Sequence, residues 1–164
     1  GLVGSEMCIR DSYLYDDVHF VVSGVNSGCN MGSDIYPSGT IAAAREATIH
    51  RIPAIAFSHF KRNDWELDWE RAIQWTVKVL KKLLAEPPEP GTLWTVNFPH
   101  LEPDTPEPEM VFCSVCTRPL LTEFVQKENG YLYVGDDINR KSDPGTDVDV
   151  CLSGNIAIAK IRLW

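Results

Sequence analysis

The chain has 164 residues and a formal net charge of −8. Its length suits one domain of ordinary size, and its 44% hydrophobic and 23% charged residues are typical of soluble globular proteins. The acidic balance argues against binding of a nucleic-acid polymer, because phosphate backbones attract basic surfaces. The sequence contains no apolar run long enough to span a bilayer, so we expect no membrane partner.

The first predicted element is a short apolar strand, Phe20–Val22, of the kind that is buried in parallel sheets. A loop rich in glycine and asparagine follows it, with Gly24, Asn26, Gly28, Asn30 and Gly32. Glycine lets the backbone approach a ligand closely, and asparagine offers an amide oxygen as an acceptor. Asp34, near the end of the loop, could cap a turn or hold a loop amide.

A helix is predicted to begin after the loop, at Ser38-Gly39-Thr40, because a strong helix-forming run follows at residues 41–47. Ser38 is a good N-cap residue. The free N–H groups of the first turn, together with the two hydroxyls, could hold a phosphate. The alternative is an ordinary strand-to-helix connection whose glycines only form turns. The loop is neither a Walker loop nor a Rossmann fingerprint, since it lacks the spacing of both.

The remaining elements follow in chain order. Residues 67–85 have the apolar periodicity of an amphipathic helix, in which we expect Trp69 and Trp75 to serve packing. Seven of the eleven prolines lie between Pro87 and Pro108, which predicts a loop interrupted only by a strand at residues 93–97. Strand composition recurs at residues 110–117, 131–134 and 155–163.

The cysteines and histidines give weak signals. Five cysteines are not a disulfide framework, and reduced thiols fit a cytoplasmic location. Cys113 and Cys116 form one close pair in a predicted strand, where residues three apart face opposite sides, so a structural role is favoured over zinc binding. The four histidines show no metal-ligand spacing. His100 could reach a site, although a surface or structural role is favoured.

The glycine-rich loop closely resembles the signature of a known family. The run Ser23-Gly24-Val25-Asn26-x-Gly28-x-Asn30-x-Gly32-x-Asp34, followed by Ser38-Gly39-Thr40-Ile41-Ala42-Ala43-Ala44-Arg45-Glu46, is similar to the SurE (survival protein E) signature. Residues 52–58, 91–99, 144–147 and 154–159 also resemble segments of that family. The likeness covers roughly residues 17–164.

This resemblance implies an α/β fold, with a three-layer SurE-like (Rossmann-like) core and a β-rich C-terminal extension. It implies a metal-dependent 5'-nucleotidase that hydrolyses nucleoside monophosphates, works with Mg²⁺ or Mn²⁺, and forms a homodimer or homotetramer. By position, Asn26 corresponds to a metal ligand of the family. The residues that the resemblance assigns to phosphate are Asn30, Ser38, Gly39 and Thr40, with Gly24, Gly28, Gly32 and Asp34 shaping the loop.

Other parts of the family's metal site lack counterparts here. SurE enzymes also use two adjacent aspartates at the end of an earlier strand and a serine from a later loop. Asp16-Asp17 is a poor candidate for the aspartate pair, because it lies immediately before the strand that leads into the glycine-rich loop. We therefore expect the catalytic pair to be absent and this chain to be inactive or nearly so.

We predict three segments: a non-native tail at residues 1–12, a partial nucleotidase core at 13–100 that lacks its first strand, and a C-terminal extension with the final core strand at 101–164. The last two belong to one domain. A disordered natural N-terminus is the alternative for the tail. Two other functions stay open, namely a non-catalytic phosphate- or nucleotide-binding module and a structural subunit that pairs with a complete partner through its β-rich arm.

Overall fold

The computed structural model describes residues 18–62, 65–120, 124–133 and 140–164. The predicted tail, the Asp16-Asp17 pair and Val134 lie outside these ranges, and the segment boundaries stay predictions. The elements are β1 (Val21–Ser27), a 3₁₀ helix (Gly32–Ile35), α1 (Gly39–Ile49), β2 (Ala54–His59), α2 (Trp69–Ala85), β3 (Thr92–Phe98), β4 (Met110–Cys113), β5 (Phe124–Lys127), β6 (Gly130–Tyr133), α3 (Asp147–Leu152) and β7 (Ile156–Arg162).

A five-stranded mixed sheet organises the described chain, in the order β1-β2-β3-β7-β4. Strands β1, β2 and β3 run parallel, β7 runs antiparallel to β3, and β4 runs parallel to β7. Because β1, β2 and β3 are parallel neighbours, their carboxyl ends meet at one edge of the sheet. In open α/β sheets that edge is where ligands bind.

Helices cover both faces of the sheet. Ala54 and Ala56 of β2 pack with the buried side of α1, whereas Ile55 and Phe57 of the same strand pack with α2. Successive strand residues face opposite sides of a sheet, so the two helices lie on opposite faces. This arrangement confirms the predicted three-layer α/β core.

Strand β1 corrects one expectation. The apolar run at residues 20–22 predicted a fully buried strand, but β1 is the edge strand of the described sheet, and its residues alternate between half-buried and exposed. Val22 is 48% exposed. An edge strand has only one neighbour to cover it, and an apolar sequence cannot report how many neighbours a strand has.

Helix α2 agrees with its predicted range within two residues at the start. It begins at Trp69 because the Asp68 side chain accepts a hydrogen bond from the Arg71 N–H at 3.0 Å. Trp75 is buried in the core, as predicted. Trp69 is exposed, so the packing role expected for it is wrong: the buried stripe of the helix begins one turn later, at Ala72.

Strand β4 is shorter than the predicted residues 110–117, since it ends at Cys113. The expectation that Cys113 and Cys116 face opposite sides is therefore wrong, because strand alternation does not continue past Cys113. Both cysteines contact the same apolar cluster, together with Cys29 and Cys151. Burial raises the pKa of Cys113 to about 11 and raises that of Cys151 as well. Thiols held protonated in this way are inert, as a structural role requires.

A separate two-stranded hairpin is formed by β5 and β6. Large apolar side chains are exposed on both of its strands: Phe124, Val125, Tyr131 and Leu132. The hairpin lies in the part of the chain where the sequence predicted a β-rich extension. Among the described residues, no helix is both long enough and apolar enough to cross a bilayer.

Candidate phosphate site

The residues singled out in the sequence lie around the carboxyl edge of β1, β2 and β3. Strand β1 ends at Ser27, and the loop that follows leads through the 3₁₀ helix into α1, which returns the chain to the start of β2. Since β1 and β2 are parallel, this path places the loop and the N-terminus of α1 at the same edge. Polar residues that end β2 and β3 lie there as well, namely Ser58 and Asn97.

Asn26 stands near the end of β1, opposite Ser58 of β2. Its amide Nδ2 donates to the Gly28 carbonyl at 2.9 Å, which holds the side chain against its own loop. This contact leaves the Oδ1 atom as the group of Asn26 that can face a cation. Gly24, just upstream, has φ +110°, and a Cβ there would collide with the Phe57 carbonyl oxygen. Glycine is therefore required for β1 to approach β2 at this point.

Asn30 is buried and forms hydrogen bonds with residues of β2 and β3. Its amide Nδ2 donates to Ser58 Oγ at 2.7 Å, and its backbone N–H donates to Asn97 Oδ1 at 2.9 Å. Asn97 Nδ2 donates in return to the Asn30 carbonyl at 3.0 Å. The three residues are buried. The sequence-predicted Asn30 thus joins the ends of β2 and β3, and one N–H of its amide is already committed to Ser58.

Ser38 caps α1, as predicted. Its backbone is extended, and its Oγ accepts a hydrogen bond from the Ile41 N–H at 3.1 Å. Gly39 is exposed, and a Cβ placed there would meet nothing within 4 Å. Gly39 therefore faces open space, whereas Thr40 beside it is half-buried. Among the described residues, no hydrogen bond joins Ser38, Gly39 or Thr40 to either Asn26 or Asn30. The helix start and the two loop asparagines are therefore separate parts of the candidate site at the same edge of the sheet.

Asp34 links the loop to the C-terminal part of the chain. Its carboxylate pairs with the Arg140 guanidinium, with Oδ2 at 2.7 Å from Nη1, and no described loop amide donates to it. The loop amide of Gly32 donates instead to Asp147 Oδ2 at 2.9 Å. The chain thus holds a loop amide with a carboxylate, but the carboxylate lies 115 residues away.

Asp147 is fully buried, and three backbone N–H groups donate to it, from Gly32, Cys116 and Val148. Burial raises the pKa of Asp147 above its ordinary value, while these hydrogen bonds and the nearby Arg140 oppose the increase. The carboxylate joins the loop, the segment after β4 and the start of α3. Its function in the fold is to connect these three segments.

Two histidines lie beyond the same edge, on the α2 side. His59 ends β2, and its Nδ1 bonds the Phe60 carbonyl at 2.9 Å. His100 Nδ1 accepts from the Arg62 N–H at 2.9 Å, so its Nε2 is the atom that donates to the Glu66 carbonyl. The rings lie 5.7 Å apart, and burial lowers the pKa of both. These contacts agree with the structural role favoured for His100.

The described residues do not by themselves fit a divalent metal. Mg²⁺ and Mn²⁺ prefer several oxygen ligands with at least one carboxylate, whereas this edge offers the neutral Oδ1 of Asn26. Within the described ranges, no three His, Cys, Asp or Glu side chains come together in a metal-binding group.

Ser58, Asn97, Arg140 and Asp147 were not among the predicted site residues. Ser58 and Asn97 had a usable signal, since each is a polar residue near the end of an apolar strand. Asp147 ends the segment 144–147 that resembles the family, but neither Asp147 nor Arg140 could be linked to the loop, because their partners lie more than 100 residues away in sequence.

Comparison with known proteins agrees with this architecture. The family model described as "Survival protein SurE" matches residues 5–121. A Nostoc sp. (strain PCC 7120) protein with a provisional 5'-nucleotidase name is 48% identical over 158 residues, covering 95% of this chain and 70% of that protein. The 5'-nucleotidase SurE of Gloeobacter violaceus is 34% identical over 160 residues, covering 93% of this chain and 59% of its own length.

The crystal structure of the SurE protein from Aquifex aeolicus superposes with a TM-score of 0.78 at 27% identity. The match covers 96% of this chain and 65% of that one. The chain thus spans between 59% and 70% of the length of these three relatives. With the family model, the sequence relatives and the fold in agreement, the chain belongs to the SurE family.

Proposed function

We propose that this chain is the phosphate-binding part of a metal-dependent phosphomonoesterase that hydrolyses nucleoside monophosphates to nucleoside and phosphate. Relatives named 5'-nucleotidase support the reaction class. The observation that carries the proposal is the capped N-terminus of α1, where Gly39 faces open space, at the carboxyl edge of three parallel strands. Free N–H groups at such a position favour a phosphate.

In this proposal the first turn of α1 binds the substrate phosphate. The backbone N–H groups of Gly39 and Thr40 and the hydroxyls of Ser38 and Thr40 would donate to phosphate oxygens. Asn30 would assist with the amide N–H that Ser58 does not use. A helix end contributes only about 0.3–1 kcal/mol to anion binding, so this turn positions the phosphate and supplies a small part of its binding energy.

Asn26 would contribute Oδ1 to a divalent cation, Mg²⁺ or Mn²⁺. Such a cation would polarise the phosphoryl group and lower the pKa of an attacking water. Carboxylates must complete the ligand set, and the described residues at this edge do not supply them. We therefore propose that the chain as given binds phosphate but turns over little or no substrate.

The test has two measurements on the same protein. Isothermal titration with AMP, and separately with inorganic phosphate, should detect binding that is lost in Ser38→Asp. Phosphate release from AMP with Mg²⁺ or Mn²⁺ should be at background. Metal-dependent release that Asn26→Ala abolishes would overturn the proposed inactivity and establish the nucleotidase. Absence of phosphate binding in the folded wild type would overturn the proposed site. Binding without turnover in a protein whose natural N-terminus is known would favour a non-catalytic binding module.

A second copy of the chain is the proposed macromolecular partner, in a homodimer or homotetramer. The β5–β6 hairpin carries the exposed apolar residues Phe124 and Leu132, and a second chain can cover exposed apolar surface of this kind. Sedimentation equilibrium should show an oligomer that Phe124→Asp with Leu132→Asp dissociates. A monomeric wild type would contradict this proposal.

The proposed compartment is the cytoplasm. No disulfide joins Cys113, Cys116 and Cys151, and thiols of this kind persist in reducing compartments. Fractionation of the source cells, followed by detection of the protein, tests this placement. Recovery outside the cytoplasm would contradict it.

A further inference from the structure

The loop between β1 and α1 is held by two buried charged residues from the C-terminal part of the chain. Arg140 and Asp147 both contact the segment Met31–Asp34, although they lie 106 and 115 residues from their partners in the sequence. The Asp147 side chain is fully buried, and the Arg140 side chain is 6% exposed. Charged side chains are rarely this buried unless they are paired.

Each residue holds a different part of the segment. Arg140 Nη1 donates to Asp34 Oδ2 at 2.7 Å, and Nη2 points to the Met31 carbonyl at 3.4 Å. Asp147 accepts from the Gly32 N–H at 2.9 Å. A backbone donor, a backbone acceptor and an acidic side chain of one short segment are therefore all held from outside it.

The fit around Gly32 is close. A Cβ at this position would lie 3.1 Å from Arg140 Nη2 and 3.2 Å from the Cys116 carbonyl oxygen, and Gly32 has φ +54°. A side chain would push the loop away from both residues. The loop backbone is thus packed directly against the group that holds it.

This segment lies between the two parts of the candidate site. Asn30 directly precedes Met31, and the 3₁₀ helix ends at Ile35, three residues before Ser38. A shift of Met31–Asp34 would move Asn30 and the start of α1 relative to each other. Displacements of about 1 Å are enough to weaken a binding site strongly.

We infer that Arg140 is a positioning residue, which holds the segment Met31–Asp34 beside the Asp147 carboxylate and thereby sets the geometry of the phosphate site. The site is then assembled from both ends of the chain, and the N-terminal loop motif does not by itself suffice. The predicted effect on phosphate affinity rests on the proposed function. The predicted effect on the order of the loop does not depend on any ligand.

The experiment compares the full chain with three variants: Arg140→Gln, Asp34→Asn and the double variant. Amide hydrogen exchange by NMR reports on the amides of Gly32, Asp34 and Tyr36, with α2 amides as the internal reference. Inorganic phosphate is the probe for affinity. Arg162→Gln is the matched control, because Arg162 pairs with Glu89 at 3.1 Å on the exposed surface, beside the start of β3 and so at the opposite edge of the sheet from the loop.

We expect Arg140→Gln to speed exchange of the three loop amides by about tenfold or more, while α2 amides stay protected, because a buried charge pair is lost. Phosphate affinity should fall by about tenfold or more, and Arg162→Gln should change neither quantity more than about twofold. The double variant should be no worse than the worse single variant, as expected for partners. Arg140→Lys, which keeps the charge, should recover part of the affinity.

Unchanged protection of the loop amides in Arg140→Gln overturns the inference, whatever the affinity. Faster exchange with wild-type phosphate affinity also overturns it, since the role would then be only structural. If the wild type binds no phosphate, the proposed site fails. In that case the exchange comparison alone decides whether Arg140 holds the loop.

Discussion

Asn30 and Asn97 exchange two hydrogen bonds across 67 residues of sequence: the Asn30 N–H donates to Asn97 Oδ1, and Asn97 Nδ2 donates to the Asn30 carbonyl. One side chain thereby satisfies both backbone groups of a loop residue. The pair attaches the glycine-rich loop to the end of β3, which is the central strand of the sheet. The loop motif is thus part of the core.

Replacing Asn97 should therefore cost much more stability than replacing a half-buried asparagine near the surface. Asn97→Ala leaves the buried N–H and carbonyl of Asn30 without partners, and we expect the free energy of unfolding to fall by about 2–3 kcal/mol. Urea denaturation measures the change. Asn155 is the matched control, since its Oδ1 accepts a surface hydrogen bond from the Glu109 N–H at 3.2 Å, and Asn155→Ala should cost about 0.5 kcal/mol or less. Equal losses in the two variants would contradict the prediction.

Two substitutions of Ser38 should separate its capping role from phosphate binding. Ser38→Ala removes the cap of α1 and should lower the free energy of unfolding by about 1 kcal/mol. Ser38→Asp keeps an accepting oxygen for the Ile41 N–H and should retain the stability, but its charge should repel phosphate. Urea denaturation and titration with inorganic phosphate measure the two effects. A Ser38→Asp protein that binds phosphate as the wild type does would argue against a site at this turn.

Replacing Gly24 and Gly39 by alanine should change the free energy of unfolding very differently, because the space around the two glycines differs. Gly24→Ala places a Cβ against the Phe57 carbonyl oxygen at a positive φ, so we expect it to cost several kcal/mol, about 3 or more, or to prevent folding. Gly39→Ala meets nothing within 4 Å and lies in the first turn of α1. It should leave stability unchanged or raise it by up to about 1 kcal/mol. Thermal melts of both variants provide the comparison, and a Gly24→Ala protein as stable as the wild type would show that β1 and β2 do not approach so closely.

Acid should weaken the fold through the two histidines. Burial and His100 lower the pKa of His59, while the Phe60 carbonyl and Asp68 oppose this decrease, and burial also lowers the pKa of His100. The unfolded chain, with histidine pKa values of about 6.5, then takes up protons first as the pH falls. The contribution of these two histidines to the free energy of unfolding should therefore be fully present above about pH 6.5 and should be lost as the pH falls below that value.

Urea denaturation at about pH 7.5 and about pH 5.5 measures this loss of stability, and His59→Gln should reduce it. Asp147, with a raised pKa, changes stability in the opposite direction, so the wild type and His59→Gln must be compared over the same pH interval. Asn155→Ala, which removes no titratable group, serves as the control. An equal loss of stability in His59→Gln and the wild type would show that His59 does not contribute to it.

Local patterns predicted the elements well. Ser38 could be recognised as a cap because its partner, Ile41, is only three residues away. The strand at residues 93–97 and the amphipathic helix at 67–85 follow from apolar periodicity, and the structure reproduces both within two residues. The exposure of Val22 and Trp69 could not be predicted from local patterns, because it depends on which elements lie next to β1 and α2.

The sequence by itself determined the family, through the resemblance of its loop motif, and the three-layer core that this resemblance implies. It also determined the helix start at Ser38, since capping acts over a few residues. Only the tertiary structure decided what holds the glycine-rich loop. Asn97, Arg140 and Asp147 satisfy its backbone and its one acidic side chain from 67 to 115 residues away. Buried polar groups need partners wherever the fold brings them, and no local pattern in the sequence identifies a partner at such a separation.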